Sequence, residues 1–493
     1  MLKHPTTTEH YVHRIGLFLG LVALCMPLVV DPPVGLSMTG WRLVGIAMLM
    51  AIWWVTAAID IAATALVPLV AFPLMNICSV RAAATPFGHP MLFLLLGGFL
   101  IACALQRWNL HKRIALTIAL HSGERQHHII LGIMLAVAFL SMWLSNTATT
   151  LMTITIAQSL IDHTGKEHQI KPEDNRIGTA MMLGIAYAAS LGGMATLVGT
   201  TPNAYLAAFL ADRAYGLDIT FVSWMMLALP VVLVMVPYAW FILTYVAFPV
   251  CTSPEFNISA QGKQYLRHTL DGMGKIKVAE WRVGIVFLLV ALGWLSRPLL
   301  QTLPLLAGLN DTSISIFGAL FLFILPSGSA NKAEAKRLLL WSDTKRLPWG
   351  VLLLLGGGLS LASAISTTDL AHWIGIQLVS LGRIPTEGLV FLLAIATSLV
   401  TELTSNTATS ATFIPLIAAL AKAIGTNPLL LTAPVTMTAS CAFMLPVATP
   451  PNALVFSTRY VTVQQMVRSG FLINLGAVIW ICIVCLWLVP ILF

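Results

Sequence analysis

The chain has 493 residues, 58% of them hydrophobic and only 9% charged, with a mean hydropathy of +0.88. A soluble domain carries about 25% charged residues, so the composition excludes a soluble globular protein and reads as an all-α, polytopic membrane protein. The net charge of +8 is then no nucleic-acid signal, and its distribution over the loops reports orientation instead.

Residues 15–30 form an apolar run behind Lys3 and Arg14. Asp31-Pro32-Pro33 follows, with no small-x-small cleavage site, so a retained first span is expected rather than a signal peptide. Apolar runs predict spans at 14–30, 41–57, 59–78 and 90–106, and the stretch 107–126 is polar and basic. The segment 127–162 has two apolar limbs of roughly 16 residues, short for separate spans. It reads as a re-entrant hairpin with Ser145-Asn146-Thr147 at its tip. Spans at 176–210 and 221–249 follow, then a polar connector at 251–281. The second half repeats the plan, with spans at 282–299, 303–326 and 349–366, a hairpin at 384–424 tipped by Ser405-Asn406-Thr407, and spans at 428–457 and 470–493. The expectation is eleven spans and two re-entrant hairpins. It divides the chain into N-terminal spans (1–60), a first repeat (61–250), a connector (251–281) and a second repeat (282–493). With a cytoplasmic N-terminus, 21 Lys and Arg fall on inside segments and 6 outside. That bias predicts this orientation, an external C-terminus, and a first hairpin that enters from the cytoplasm.

Three motifs recur in the same order. Leu94-Leu95-Leu96-Gly97-Gly98 matches Leu353-Leu354-Leu355-Gly356-Gly357 at an offset of 259. Ser145-Asn146-Thr147-Ala148-Thr149 is repeated as 405–409, at 260. Gly199-Thr200-Thr201-Pro202-Asn203-Ala204 matches Ala448-Thr449-Pro450-Pro451-Asn452-Ala453, at 249. Five spans, an odd number, separate corresponding elements, so the second unit is inverted. Inverted repeats with interrupted helices in corresponding places point to a transporter binding site. Proline lacks an N–H and disfavours helix in the residue before it, so Pro202 and Pro450-Pro451 should break their helices. Pro230 and Pro237 read as plain kinks. Broken ends present carbonyls to cations and amides to anions.

The Ser-Asn-Thr tips offer hydroxyl and amide oxygens. Such an uncharged, oxygen-only set suits weakly held Na⁺ better than Zn²⁺, which wants His, Cys or carboxylate. Glu402, the one acid beside the second tip, reads either as a proton-coupling site or as a local cap. Asp60 reads as an interfacial anchor. The histidines His10, His13, His111, His127, His128, His163 and His168 are expected to be solvated. The seven cysteines (Cys25, Cys78, Cys103, Cys251, Cys441, Cys482, Cys485) are expected to be buried small hydrophobes. No His-Glu-x-x-His and no intramembrane aspartate pair occurs, which argues against an intramembrane enzyme.

The paired Ser-Asn-Thr motifs, Leu110-His111-Lys112-Arg113, Leu347-Pro348-Trp349-Gly350 and Ala448-Thr449-Pro450-Pro451-Asn452-Ala453 resemble the divalent anion/sodium symporter family, the INDY-type carboxylate transporters. The resemblance runs from Trp53 to the C-terminus. It implies a homodimer in a prokaryotic inner membrane that moves small dianions by an elevator motion, usually with Na⁺. The substrates implied are C4-dicarboxylates such as succinate, malate and fumarate, or citrate or sulfate. It further implies one Na⁺ site at Ser141, Ser145, Asn146 and Gly199, and another at Thr401, Thr404, Asn406 and Ala448. Substrate would lie against Asn146, Thr147, Ser405, Asn406 and Thr407, with Thr200, Thr449 and Pro450 nearby. Thr149 and Thr409 stand where exchanger branches tend to carry arginine, which favours the sodium-coupled branch over a sodium-independent exchanger. Two departures stand out: Thr201 replaces a common proline, which would make the two breaks unequal, and Ala57 a common glutamate. Neither is expected to touch the motif residues.

Overall fold

The computed structural model describes residues 7–122, 125–165, 175–211, 215–250, 258–328, 337–378 and 384–493. The cations Lys3, Lys166, Lys171, Arg213, Lys332, Lys336 and Arg383, together with His168 and Cys251, lie outside the described residues. The described residues are helical apart from turns and one isolated bridge between Pro326 and Arg337. Seven helices among them are long and apolar enough to cross a membrane: Tyr11–Val29, Met38–Thr56, Pro90–Arg107, Phe221–Ala247, Val278–Leu300, Trp349–Thr367 and Val463–Leu492. Pro230 and Pro237 lie inside one of these and do not end it; its last turn widens to a π-helix over Ile242–Ala247.

The expected span 59–78 is instead a chain of short pieces, Ile61–Thr64, Val67–Leu74 and Val80–Ala84. Its composition is apolar, but Pro68 and Pro73 deny the ladder two donors, and the first and last pieces start at side-chain caps while Val67–Leu74 starts without one. Asp60 is one of these caps, accepting from Ala62 N at 2.8 Å. The basic stretch after Arg107 forms an amphipathic helix, Leu110–His121. Arg113 there pairs with Glu280 at 2.7 Å, at the start of Val278–Leu300. The connector contains a helix, Ile258–Gly272, and the final helix starts at Val463 rather than 470.

Two runs of elements match one another. Each has a long helix (Pro90–Arg107; Trp349–Thr367), a short one (Leu110–His121; Leu370–Leu378), a helix pair, a broken helix and a long last helix. The long and short helices are joined by a left-handed residue in both runs, Asn109 at φ 57 and Asp369 at φ 56. Asn and Asp tolerate that conformation because their short polar side chains bond locally. Both last helices open with a capping box, on Thr220 and on Thr462.

The leading helices are packed crosswise. Pro90–Arg107 lies against Asp311–Ile324, which precedes the second run, while Trp349–Thr367 lies against the 61–88 segment, which precedes the first. Close approach needs glycine at both crossings. A Cβ on Gly97 would fall 2.1 Å from Ser315 Oγ, and one on Gly357 2.1 Å from the Ala65 carbonyl. At the centre sit the broken helices, Arg176–Gly193 with Thr201–Leu210 and Pro428–Ala439 with Pro450–Ser457. The first three of these limbs are buried on nearly every face, as helices apolar all round must be. The first limb of each broken helix packs along both limbs of the helix pair before it.

Candidate functional site

Each helix pair turns at its Ser-Asn-Thr. The first joins Gln126–Ser141 to Asn146–Gly165 and the second joins Thr386–Thr401 to Asn406–Ala423. The serine is the cap residue: Thr149 N–H donates to Ser145 O at 3.1 Å and Thr409 N–H to Ser405 O at 2.9 Å. The asparagine is the first helical residue, and the hydroxyl five positions earlier reaches its Oδ1. Ser141 Oγ lies 2.6 Å from Asn146 Oδ1, and Thr401 Oγ1 3.0 Å from Asn406 Oδ1. Ser145 Oγ accepts from Ala148 N at 3.3 Å, whereas Ser405 makes no side-chain cap bond.

The breaks span 194–200 and 440–449. Their last residues are extended and almost superimposable, Thr200 at φ −144, ψ 145 and Thr449 at φ −141, ψ 151. Thr201 takes the same first helical position as Pro450, so the breaks end alike, but they are unequal in extent: the first limb ends at Gly193 in one half and already at Ala439 in the other. One asparagine holds each break by the same register. Asn203 Nδ2 donates to the carbonyls of Gly193 (3.3 Å), Met194 (3.1 Å) and Thr196 (2.8 Å). Asn452 Nδ2 donates to those of Ala442 and Leu445, both at 2.9 Å. Ten and seven residues separate donor from acceptor in both halves. The asparagines following Pro202 and Pro451 thus carry the loops, a role signalled in sequence only by their recurrence.

Tips and breaks line one cavity of about 610 Å³. It includes Ser145, Asn146, Thr147, Gly199, Thr200, Thr404, Ser405, Asn406, Thr407, Ala448, Thr449 and Pro450. Ser141 and Thr401 lie behind the tips, fully buried. The opposite wall is apolar, from Trp54, Val55, Leu95, Phe99 and Val351. No Lys, Arg, His, Asp or Glu is among the described residues that line it. Ala57 and Thr201 both line it as well, so the two departures reach the motif residues' cavity, contrary to expectation. Gly193 seats the first tip: a Cβ there would lie 2.5 Å from Asn146 Oδ1. Buried oxygens without a hydrogen-bond partner fall on these same elements in both halves. They are Thr149 Oγ1, Thr150 Oγ1, Ser190 Oγ and Asn203 Oδ1 in the first, Ser410 Oγ, Ser440 Oγ and Asn452 Oδ1 in the second. Free oxygen lone pairs beside a cavity whose described lining holds no imidazole, thiol or carboxylate fit a hard monovalent cation.

The halves differ in what ties break to tip. In the first, Thr196 Oγ1 donates to Met142 O at 2.5 Å and accepts from Gly199 N at 3.1 Å. In the second, the residue matching Met142 is Glu402, 2% exposed. Its carboxylate accepts from Phe443 N (2.8 Å), Met444 N (3.0 and 3.1 Å), Leu445 N (3.0 Å) and Asn474 Nδ2 (2.7 Å). The carboxylate thus caps amides of the distant break, and not groups local to the tip as one expected reading had it. The residue before Leu144, Trp143, stacks among Phe221, Phe287 and Trp294. Its counterpart Leu403 is 73% exposed, towards the cavity.

Two histidines depart from the solvated expectation. His111 is buried, with Nδ1 3.0 Å from Leu105 O, and His127 is buried against His128, Trp240 and Tyr245. Cysteines 103, 441, 482 and 485 are buried, but Cys25 is exposed, on an outward face of the first long helix.

A helical membrane protein whose two matching halves bring paired polar turns and paired helix breaks to one cavity is a transporter by class. The family described as "Sodium:sulfate symporter transmembrane region" matches residues 12–493. A sodium-dependent dicarboxylate transporter, SdcS of Staphylococcus saprophyticus, is 38% identical over 480 residues, covering 97% of this chain and 91% of the relative. SdcS of Staphylococcus aureus USA300 is 38% identical over 481 residues, with the same coverage. The chain belongs to this family, the divalent anion/sodium symporters. Among solved structures, MtrF of Neisseria gonorrhoeae, of a class of antimetabolite efflux pumps, matches 99% of this chain and 95% of its own at a TM-score of 0.56 and 17% identity. The YdaH transporter of Alcanivorax borkumensis matches 98% of each chain at 0.55 and 14% identity. At those identities the likeness concerns the fold alone.

Proposed function

We propose that the protein imports C4-dicarboxylates, such as succinate, malate and fumarate, together with Na⁺. One observation carries this reading: both tips and both breaks meet in a cavity whose described lining has oxygen-bearing residues and no ionisable one. A dianion at membrane depth is costly unless its charge is offset, and no side chain lining the cavity offsets it. Bound Na⁺ supplies the missing charge. Ser141, Ser145, Asn146 and Gly199 hold one ion, and Thr401, Thr404, Asn406 and Ala448 the other. The ions set each tip against its break. Asn146, Thr147, Ser405, Asn406 and Thr407 then present donors to the carboxylates, with Thr200, Thr449 and Pro450 closing the ends. The names of the similar staphylococcal proteins, sodium-dependent dicarboxylate transporters, support this choice of ion and substrate.

The helix pairs, the broken helices and the two last helices pack on one another, and in this reading they move as one body against the remaining helices, an elevator motion. The protein lies in a prokaryotic inner membrane as a homodimer, with its N-terminus cytoplasmic and its C-terminus external. The experiment is uptake of labelled succinate, citrate and sulfate into proteoliposomes, with and without a Na⁺ gradient. Concentrative, Na⁺-dependent succinate uptake is the expected result. Full activity without Na⁺, requiring substrate on the far side, would make the protein an exchanger, and transport of sulfate but not succinate would make it a sulfate carrier.

A further inference from the structure

The second break is held more completely than the first. Over 442–445 six backbone groups have a partner from outside the loop. The Ala442 and Leu445 carbonyls are taken by Asn452, the Phe443 carbonyl by the Tyr187 hydroxyl at 2.7 Å, and the amides of 443, 444 and 445 by Glu402. Glu402 receives four donors and faces no acceptor, the pattern that satisfies a carboxylate. Three consecutive amides converging on one anion form a nest. The position is also specific to this half, since the matching residue at the first tip is Met142, an apolar side chain.

Its surroundings give this buried charge a consequence. Thr401, on one side, donates to Asn406 Oδ1 and lies 2.6 Å from the Ala439 carbonyl. Leu403 and Thr404, on the other, line the cavity. The loop that Glu402 grips runs on within three residues to Ala448. A fixed anion here acts on the second tip in two ways: it pins the strand that presents the carbonyls, and its field favours a cation in low-dielectric surroundings.

We propose that Glu402 is a positioning residue that makes the second cation site the stronger of the two, by gripping the break that completes the site and by lending it a fixed negative charge. The inference rests on the sodium-coupled reading above. The cation is not coordinated by Glu402 itself, whose oxygens are taken up by the amides. The two sites are therefore filled in order as Na⁺ rises, the second before the first.

The test compares the purified full-length protein with Glu402→Gln, Glu402→Asp and Asn474→Leu. It reads the Na⁺ concentration for half-maximal thermal stabilisation in the absence of substrate, and the Na⁺ and succinate dependence of uptake in proteoliposomes. Removing one charge at this range should raise the half-saturating Na⁺ about tenfold in Glu402→Gln. Half-saturating succinate, measured at saturating Na⁺, should change by less than about twofold. Glu402→Asp, which restores the charge on a shorter arm, should return half-saturating Na⁺ to within about threefold of the parent. Asn474→Leu removes one donor of four and should move half-saturating Na⁺ about threefold in the same direction as Gln; it carries the test if Glu402→Gln does not accumulate as folded protein. Unchanged Na⁺ dependence in Glu402→Gln, or in Asn474→Leu where that variant stands in, would overturn the inference. So would a loss in Glu402→Gln that appears only in half-saturating succinate. If the parent protein itself shows no Na⁺ dependence, the function proposed above fails instead, so the two failures are distinguishable.

Discussion

The two halves of the cavity start from the same pentapeptide and end their breaks alike, yet they are secured by different chemistry. At the first tip the tether is neutral: one threonine hydroxyl on the Met142 carbonyl, backed by an aromatic stack on Trp143. At the second it is a buried carboxylate on three amides, and the residue in the place of Trp143 stands open to the cavity. The tip asparagines and the asparagines that pin the breaks recur in both halves, while the supports behind them differ. The comparison teaches that a repeat identifies the ligand-facing surface, while the asymmetry behind it decides how strongly each half binds.

The comparison can be broken most sharply by topology. If the second half is an inverted copy, a cysteine placed at Lys275 should resist a membrane-impermeant maleimide added from outside, and one placed at Phe493 should react fully. The reverse pattern would exchange the sides of both hairpins. Next in size are the tip asparagines. In the proposed reading Asn146→Ala and Asn406→Ala each remove a cation ligand and a substrate donor, a loss of roughly 3 kcal/mol or more for a bond to a charged group, which is about a hundredfold in uptake. The two losses should agree within about tenfold; protein recovered in undiminished amount by size-exclusion chromatography separates this from misfolding.

Smaller effects sharpen the contrast. Thr147→Ala and Thr407→Ala should weaken succinate about tenfold each while leaving substrate-free Na⁺ binding in place, because the proposed reading gives those hydroxyls to the anion. A calorimetric Na⁺ titration in which binding is lost along with succinate would reassign them to the cation. Asn203→Ala and Asn452→Ala should lower Tm by several degrees, since each strands buried carbonyls. The Asn452 variant should lose less, because Glu402 and Tyr187 still hold its loop. Smallest is Thr196→Val, which deletes the neutral tether at a cost of about 1 kcal/mol. Half-saturating Na⁺ should rise only a few-fold, well short of the change expected at Glu402, and an equal or larger change would erase the asymmetry.

Much of this architecture was legible in the sequence because it is written twice. The identical runs at 145–149 and 405–409 mark the two turns, and the paired Pro-Asn-Ala marks the breaks that the structure opens at 194–200 and 440–449. What escaped was whatever depends on contacts distant in sequence. Glu402 meets amides about forty positions away and Asn474 farther still, so its role as a clamp could not be read from its neighbours. A signal existed nonetheless: aligning the two pentapeptides sets Glu402 opposite Met142, an acid in an apolar register. The span expected at 59–78 failed for another reason. Hydropathy sums composition and is blind to donors, so it misses Pro68, which lacks the N–H that would carry the ladder on from Thr64. His111 and His127 are expected in solvent because they fall in segments read as cytoplasmic, but both are packed inward.

The central claim is that Na⁺ supplies the positive charge this cavity lacks, and reciprocal linkage tests it directly. Sodium binding to the purified protein, followed by calorimetry or thermal shift with and without succinate, and succinate binding across a Na⁺ titration, must give the same coupling factor. The account predicts that succinate affinity rises steeply with Na⁺, and that Na⁺ affinity rises by the same factor when succinate is present. Equal succinate affinity at zero and at saturating Na⁺ would contradict it.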